Sequence, residues 1–251
     1  MHNLQRVLHF YVLTCLGSHV LGSVIIHGEK APVGSMLYMV SVQNHNSPIC
    51  GGFLISEDYV LTAAHCYRGT HVVLGTHNLY GNGQRIKIAS KCQHPDFTDI
   101  PFGNDLMLLK LSSKARLGNG VDVIQIPQHD MNLNVNQMCQ VAGWGYTRTG
   151  PSHDLMVVDV SIIDPQVCAQ EWRSSINLPA NIICAGGYRT NKGFCQGDSG
   201  GPLVCNGIAV GIVSFNKRSN CQYPDVPNVY IDISKYRTWI NEMIGDTEQS
   251  T

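Results

Sequence analysis

Charge is scarce in this sequence. Asp, Glu, Lys and Arg together make up 14% of 251 residues, and 17 bases against 18 acids leave a formal net charge of -1. No basic run is present, so there is no electrostatic footprint for nucleic acid. There is also no phosphate loop, no metal-spaced His/Cys cluster and no internal repeat. What the chain does have is apolar: hydrophobic residues reach 43%, which suits a packed core and excludes a disordered chain. Glycine is plentiful at 25 residues, as many strands joined by tight turns require. The length fits one large all-β unit or two small barrels.

One stretch organises the rest: Gly197-Asp198-Ser199-Gly200-Gly201-Pro202. A serine flanked by glycines is a candidate nucleophile on a tight turn, because glycine accepts backbone conformations that a side chain forbids. The glycines also clear space for a carbonyl in front of Ser199 Oγ. The N–H groups of Gly197 and Ser199 can then converge on a developing oxyanion. A hydroxyl needs an adjacent base to attack at neutral pH. Thr62-Ala63-Ala64-His65-Cys66 supplies His65, and Asn104-Asp105-Leu106-Met107 supplies Asp105 at the head of an apolar run.

Three motifs in the order His65, Asp105, Ser199 resemble the chymotrypsin/trypsin family of serine proteases, over about residues 25 to 245. The resemblance implies an all-β fold: two packed six-stranded antiparallel β-barrels with a C-terminal α-helix. It implies a serine endopeptidase in which His65 is the base and Asp105 orients it. Gly197 and Ser199 form the oxyanion hole. Residues 25–128 form the N-terminal barrel, and residues 129–251 form the C-terminal barrel and terminal helix.

Residues 1–22 read as a secretory signal. His2 and Arg6 open it, Leu8 to Leu16 is largely apolar, and Val20-Leu21-Gly22 has small residues at its last and third-last positions. A membrane anchor is the rival reading, because apolar character resumes at Val24-Ile25-Ile26; His9, His19 and two serines interrupt it. Ser23-Val24 remains as a pro-dipeptide like those of granzymes and mast-cell proteases. Ile25-Ile26-His27-Gly28 resembles the mature start of family members, with His27 where the first glycine usually stands. The resemblance implies that the freed α-ammonium of Ile25 pairs with Asp198 in an activation salt bridge, since a buried lone carboxylate is costly.

Strand-like apolar runs cover Val33–Val42, Cys50–Leu61, Val72–Gly75, Gln84–Ala89 and Leu106–Leu111, then Met138–Gly145, Leu155–Ile163, Ile182–Ala185, Pro202–Cys205, Ile208–Phe215 and Val229–Ile233. Ser112 to about Asn136 is polar and turn-rich and is the expected crossing. Tyr236–Ile244 has helical spacing, and Gly245–Thr251 reads as an unstructured tail.

Of ten cysteines, Cys15 leaves with the signal. The resemblance implies four bridges: Cys50 with Cys66, Cys139 with Cys205, Cys168 with Cys184, and Cys195 with Cys221. Cys92 is left over, as a small buried apolar residue or an intermolecular partner. An exported chain meets the oxidising compartment that disulfides need.

The substrate-binding set implied by the resemblance is Gly193, Phe194, Ser214, Phe215, Asn216 and Asn228. Gly193 stands where trypsins place an Asp, so the pocket has no charge for Lys or Arg. Asn216 and Asn228 replace usual glycines and Phe194 adds bulk, so the expected residue before the cleaved bond is small or medium and uncharged. The bland alternative turns both asparagines outward and leaves an apolar slot. No metal is expected, because Gly75–Gly83, the counterpart of the family's calcium loop, holds no Asp or Glu. No cofactor is expected either. The expected partners are polypeptide substrates and serpin-type or other protease inhibitors, not nucleic acid or membrane. The expected state is a monomer, secreted, extracellular or in a secretory granule. Two other readings fit the residues: a digestive, elastase-like protease, and a catalytically weak relative that acts as a binding protein.

Overall fold

The computed structural model describes residues 25–147, 150–217 and 221–248. The expected signal and the dipeptide Ser23-Val24 lie outside the described residues.

The first half contributes β1 (Glu29–Lys30), β2 (Met39–Asn44), β3 (Ser47–Leu54), β4 (Tyr59–Thr62), β5 (His71–Leu74), β6 (Gln84–Gln93) and β7 (Met107–Leu111). The second half contributes β8 (Met138–Gly143), β9 (Tyr146–Thr147), β10 (Gly150–Pro151), β11 (Met156–Ser161), helix α1 (Pro165–Trp172), β12 (Ile182–Ala185), β13 (Pro202–Cys205), β14 (Ile208–Phe215), β15 (Asn228–Asp232) and helix α2 (Arg237–Glu248).

Strands β2 to β7 close into a barrel in the order β2-β3-β4-β7-β6-β5. Its walls read as apolar runs because the strands are covered on both faces: every residue of β4 is buried. The run read as Cys50–Leu61 is a hairpin, with β3 paired to β4 through Phe53↔Leu61 and Leu54↔Val60. The run read as Val33–Val42 is strand only from Met39; Val33 is fully exposed.

The second half has the six expected strands, from β11 round to β12, with β1 added outside β11. It is a seven-stranded sheet, ordered β1-β11-β8-β13-β14-β15-β12. Its far strand β12 curls back to meet the end of β11 through one bridge, Ile162↔Ala185, flanked by Ile163 N–H to Cys184 O at 2.8 Å. The seventh strand is β1, which pairs with β11. The sequence reading assigns residues 25–31 to the N-terminal unit, but the structure packs them on the other sheet. The cause is Ile25, whose side chain is fully buried in one apolar core with Val141, Phe194, Val213 and Tyr230.

Helix α1 has no counterpart among the elements read from the sequence. It is eight residues long, capped by the Asp164 side chain accepting from the N–H groups of Gln166 and Val167, with Pro165 in its first turn. Helix α2 runs to Glu248, four residues beyond the expected end, and packs back on the first barrel. Ile240 is fully buried there, and the Trp239 ring lies 5.2 Å from the His94 ring.

Disulfides join Cys50–Cys66, Cys139–Cys205, Cys168–Cys184 and Cys195–Cys221. Cys92 is a half-buried free thiol whose Sγ lies 3.1 Å from Met243 Sδ; burial raises its pKa.

Candidate active site

Ser199 sits on the turn that leads into β13. Gly197 (φ 94°) and Gly200 (φ 81°) both take the left-handed conformation that side chains resist. Gly200 is also crowded: an added Cβ would come within 2.6 Å of Gly51 O and strike Thr62 Oγ1. The turn is held by Gly200 N–H to Val213 O and Val213 N–H to Gly201 O, each 2.8 Å. Among the described residues, no acceptor meets the N–H of Gly197 or of Ser199. Those are the two donors expected to face an oxyanion.

His65 lies in a single 3-10 turn, Ala64–Cys66, after β4. Asp105 lies just before β7 and is fully buried. Strands β4 and β7 are neighbours, which brings the two together. Asp105 Oδ1 accepts from the His65 main-chain N–H at 3.0 Å, and Oδ2 lies 2.8 Å from His65 Nδ1. Ser214 Oγ donates to the same Oδ2 at 2.6 Å. A carboxylate that accepts three bonds is fixed in place, and it leaves His65 Nε2 as the nitrogen able to take a proton.

Ser199 approaches from the second sheet. Its carbonyl accepts from Gly51 N–H at 2.8 Å and lies 3.8 Å from Cys66 Sγ. Its Oγ has no hydrogen-bond partner among the described residues. A loose nucleophile–base contact is common before substrate arrives. The sulfurs of Cys50 and Cys66 lie within 4.8 Å of a His65 ring nitrogen. That grouping offers no metal site, because the two sulfurs are bonded to each other.

Asp198, beside the nucleophile, is fully buried. It accepts from Gly145 N–H at 2.8 Å and Cys195 N–H at 2.9 Å. Burial pushes its pKa up to about 7 despite those two donors. No cation pairs with it among the described residues; in the intact chain the Ile25 nitrogen is an amide. Ile25 is buried in the core of the second sheet, and Ile26 bridges to Gly193. His27 has φ 61°, the left-handed region that favours the glycine it replaces.

Of the expected substrate-binding residues, Gly193, Asn216 and Asn228 converge on one further residue, while the Phe194 and Phe215 rings pack elsewhere. Gly193 and Asn228 are buried side by side. Phe194 packs edge-on to Tyr230, ring centroids 5.3 Å apart, and Phe215 does the same on Trp172 at 5.4 Å. Both asparagines turn inward, onto a residue that the sequence reading passed over. Tyr223 Oη accepts from Asn228 Nδ2 at 2.8 Å and from Asn216 Nδ2 at 3.0 Å, and donates to Phe194 O at 2.7 Å. Burial raises the Tyr223 pKa to about 12. Both asparagine side chains thus meet the Tyr223 hydroxyl. No local signal marks Tyr223; it lies in Gln222-Tyr223-Pro224, far along the chain from Gly193. Ser214 belongs to the expected substrate-binding set, and its bond to Asp105 is likewise a contact that only the fold supplies.

A buried aspartate bonded to a half-buried histidine, with a glycine-bounded serine where a closed β-barrel meets a second β-sheet, is the constellation expected of a serine endopeptidase. The family model described as "Trypsin" matches residues 25–240, and the chain belongs to that family. Human kallikrein-7 is 39% identical over 245 residues, spanning 95% of this chain and 94% of that protein. Mouse granzyme B(G,H) is 36% identical over 249 residues, spanning 95% and 98%. Bovine duodenase-1 is 40% identical over 226 residues, spanning 86% and 88%. The solved structure of neuropsin, a serine protease of mouse brain, aligns with a TM-score of 0.80 at 32% identity, covering 86% of this chain and 98% of that one.

Proposed function

We propose that the chain is exported, loses residues 1–22 and then Ser23-Val24, and becomes an endopeptidase once Ile25 is the N-terminus. Ser199 Oγ attacks the carbonyl carbon of a peptide bond while His65 takes its proton. The N–H groups of Gly197 and Ser199 hold the oxyanion. His65 then returns the proton to the leaving amine, and water resolves the acyl-enzyme by the same path. The Ile25 ammonium pairs with Asp198 and shapes the oxyanion hole. The setting is extracellular or a secretory granule, the enzyme is a monomer, and serpin-type or other protease inhibitors are its regulators.

The residue before the cleaved bond is small or medium and uncharged, with Gln and Thr tolerated. Gly193 brings no carboxylate, so a buried Lys or Arg would lose its hydration without a partner. The observation that carries the catalytic reading is the Asp105 carboxylate bonded at once to His65 and Ser214.

The test is labelling by a serine-directed phosphonate on protein processed to begin at Ile25, followed by cleavage of matched substrates ending in Ala, Leu, Phe and Arg. Ser199 should label, and Ser199→Ala should lose activity on the order of a million-fold. His65→Ala should lose a similar amount and the double variant little more. Absence of labelling would favour the binding-protein reading. A preference for Arg would refute the assignment of the pocket.

A further inference from the structure

We propose that Tyr223 sets which bond this protease cuts: its ring occupies the substrate pocket as a built-in side chain and confines cleavage to bonds that follow small residues. The inference rests on the triad reading above and deepens it.

Occupancy is the first ground. A Cβ added to Gly193 would stand 2.5 Å from Tyr223 Cε2 and 2.8 Å from Cζ. The ring therefore lies directly against the floor of the pocket, where an incoming side chain would end.

Bonding is the second. A tyrosine hydroxyl has one proton to give and two lone pairs to fill. Tyr223 Oη uses all three, on Phe194 O, Asn216 Nδ2 and Asn228 Nδ2. The ring is thus tied to the segment at Gly193-Phe194 and to both asparagines. A large side chain could enter only by evicting it. Eviction would break its bonds to Phe194 O, Asn216 Nδ2 and the buried Asn228 Nδ2, and each such loss in a buried place weakens binding by roughly ten-fold or more.

The third ground is the match between the two walls. Glycine at 216 or 228 would offer no side-chain donor, whereas asparagine at both positions supplies the two that the hydroxyl needs. Asn216, Tyr223 and Asn228 form one unit, and the two asparagines act on substrate through the tyrosine they hold.

The test uses protein beginning at Ile25, with active sites counted by a fluorophosphonate that carries no side chain for the pocket. Substrates differ only in Ala, Phe or Arg before the cleaved bond. The wild type should favour Ala over Phe by about 10-fold or more in kcat/KM. Tyr223→Ala should raise kcat/KM for Phe by about 100-fold. The Phe-to-Ala ratio should rise with it, and Arg should remain poor because Gly193 is uncharged. The double variant Asn216→Gly/Asn228→Gly keeps the ring and removes two of its bonds. It should raise Phe by about 10-fold, and it serves if Tyr223→Ala fails to fold. Normal labelling of Ser199 with an unchanged Ala-to-Phe ratio in the variants overturns the role of Tyr223 and leaves the triad standing. Failure of every form to label at Ser199 overturns the triad reading and this inference together.

Discussion

The main-chain N–H of Gly51 donates to the carbonyl of Ser199 at 2.8 Å. Gly51 belongs to β3 of the closed barrel; Ser199 belongs to the turn before β13 of the other sheet. The bond therefore crosses the seam at the nucleophile. Cys50, next to Gly51, is bonded to Cys66, next to His65. One covalent bridge and one hydrogen bond thus tie the serine turn and the histidine turn to the same two residues of β3. The approach is close enough that a Cβ on Gly51 would meet Gly201 N and Cα at 3.2 Å. Rate in such a site depends on holding the reacting groups to within about an ångström.

Removing Ser214 Oγ should slow the enzyme without unfolding it. Ser214→Ala leaves Asp105 with its two bonds from His65 but takes away the third donor to a fully buried carboxylate. A hydrogen bond to a charged group contributes roughly 1.5–3 kcal/mol, so kcat should fall about ten- to hundred-fold. Asp105→Asn should fall further, on the order of 10⁴-fold, the size this change has in other triad enzymes, because the histidine loses its correct tautomer. The measurement is kcat on one Ala substrate for both variants, with circular dichroism to verify folding. Equal losses would show that Ser214 does more than hold Asp105.

Stability should part company with pH before and after processing. Burial raises the Asp198 carboxyl to about 7 in the intact chain. A carboxyl with a raised folded pKa binds its proton more tightly folded than unfolded. Its contribution is therefore fully present below the ordinary carboxyl pKa and is lost as pH rises through about 7. Processing adds an ammonium partner, which favours the ionised form and removes that loss. Melting temperatures of Ser199→Ala protein, intact and beginning at Ile25, should diverge from pH 5 to pH 8 in favour of the processed form. A gap independent of pH would contradict the pairing of Ile25 with Asp198.

His27→Gly should stabilise the processed protein. The left-handed backbone at His27 (φ 61°) costs a non-glycine residue about 1 kcal/mol, which glycine avoids. Glycine also loosens the unfolded chain, so the net gain should be a few tenths of that. Thermal unfolding should show a rise of a degree or two, with kcat unchanged. A fall in melting temperature would mean that the imidazole makes contacts worth more than the strain.

The sequence shows a good deal of this fold, because a strand covered on both faces must be apolar throughout. Ile182–Ala185, Pro202–Cys205 and Ile208–Phe215 can be read off to the residue for that reason. Helix α1 is missed because eight residues give too little periodicity, although Asp164-Pro165 is a helix-start signal. Closure of β2–β7 and the return of β12 to β11 depend on which edges meet, and no single strand carries that information.

The same division runs through the site. His65, Asp105 and Ser199 are legible because each sits in a short stretch whose local chemistry is distinctive: a serine between glycines, a histidine beside a cysteine, an acid heading an apolar strand. Their roles as nucleophile, base and orienting carboxylate are what the resemblance carried by those three stretches together implies. The Tyr223 hydroxyl, the inward turn of Asn216 and Asn228, and the Ser214 bond to Asp105 have no such local mark. They depend on where separate segments of chain stop in space, to within the length of a hydrogen bond. Only the packing of the second sheet, with Ile25 buried in its core and the Cys195–Cys221 bridge across its pocket, brings those ends together.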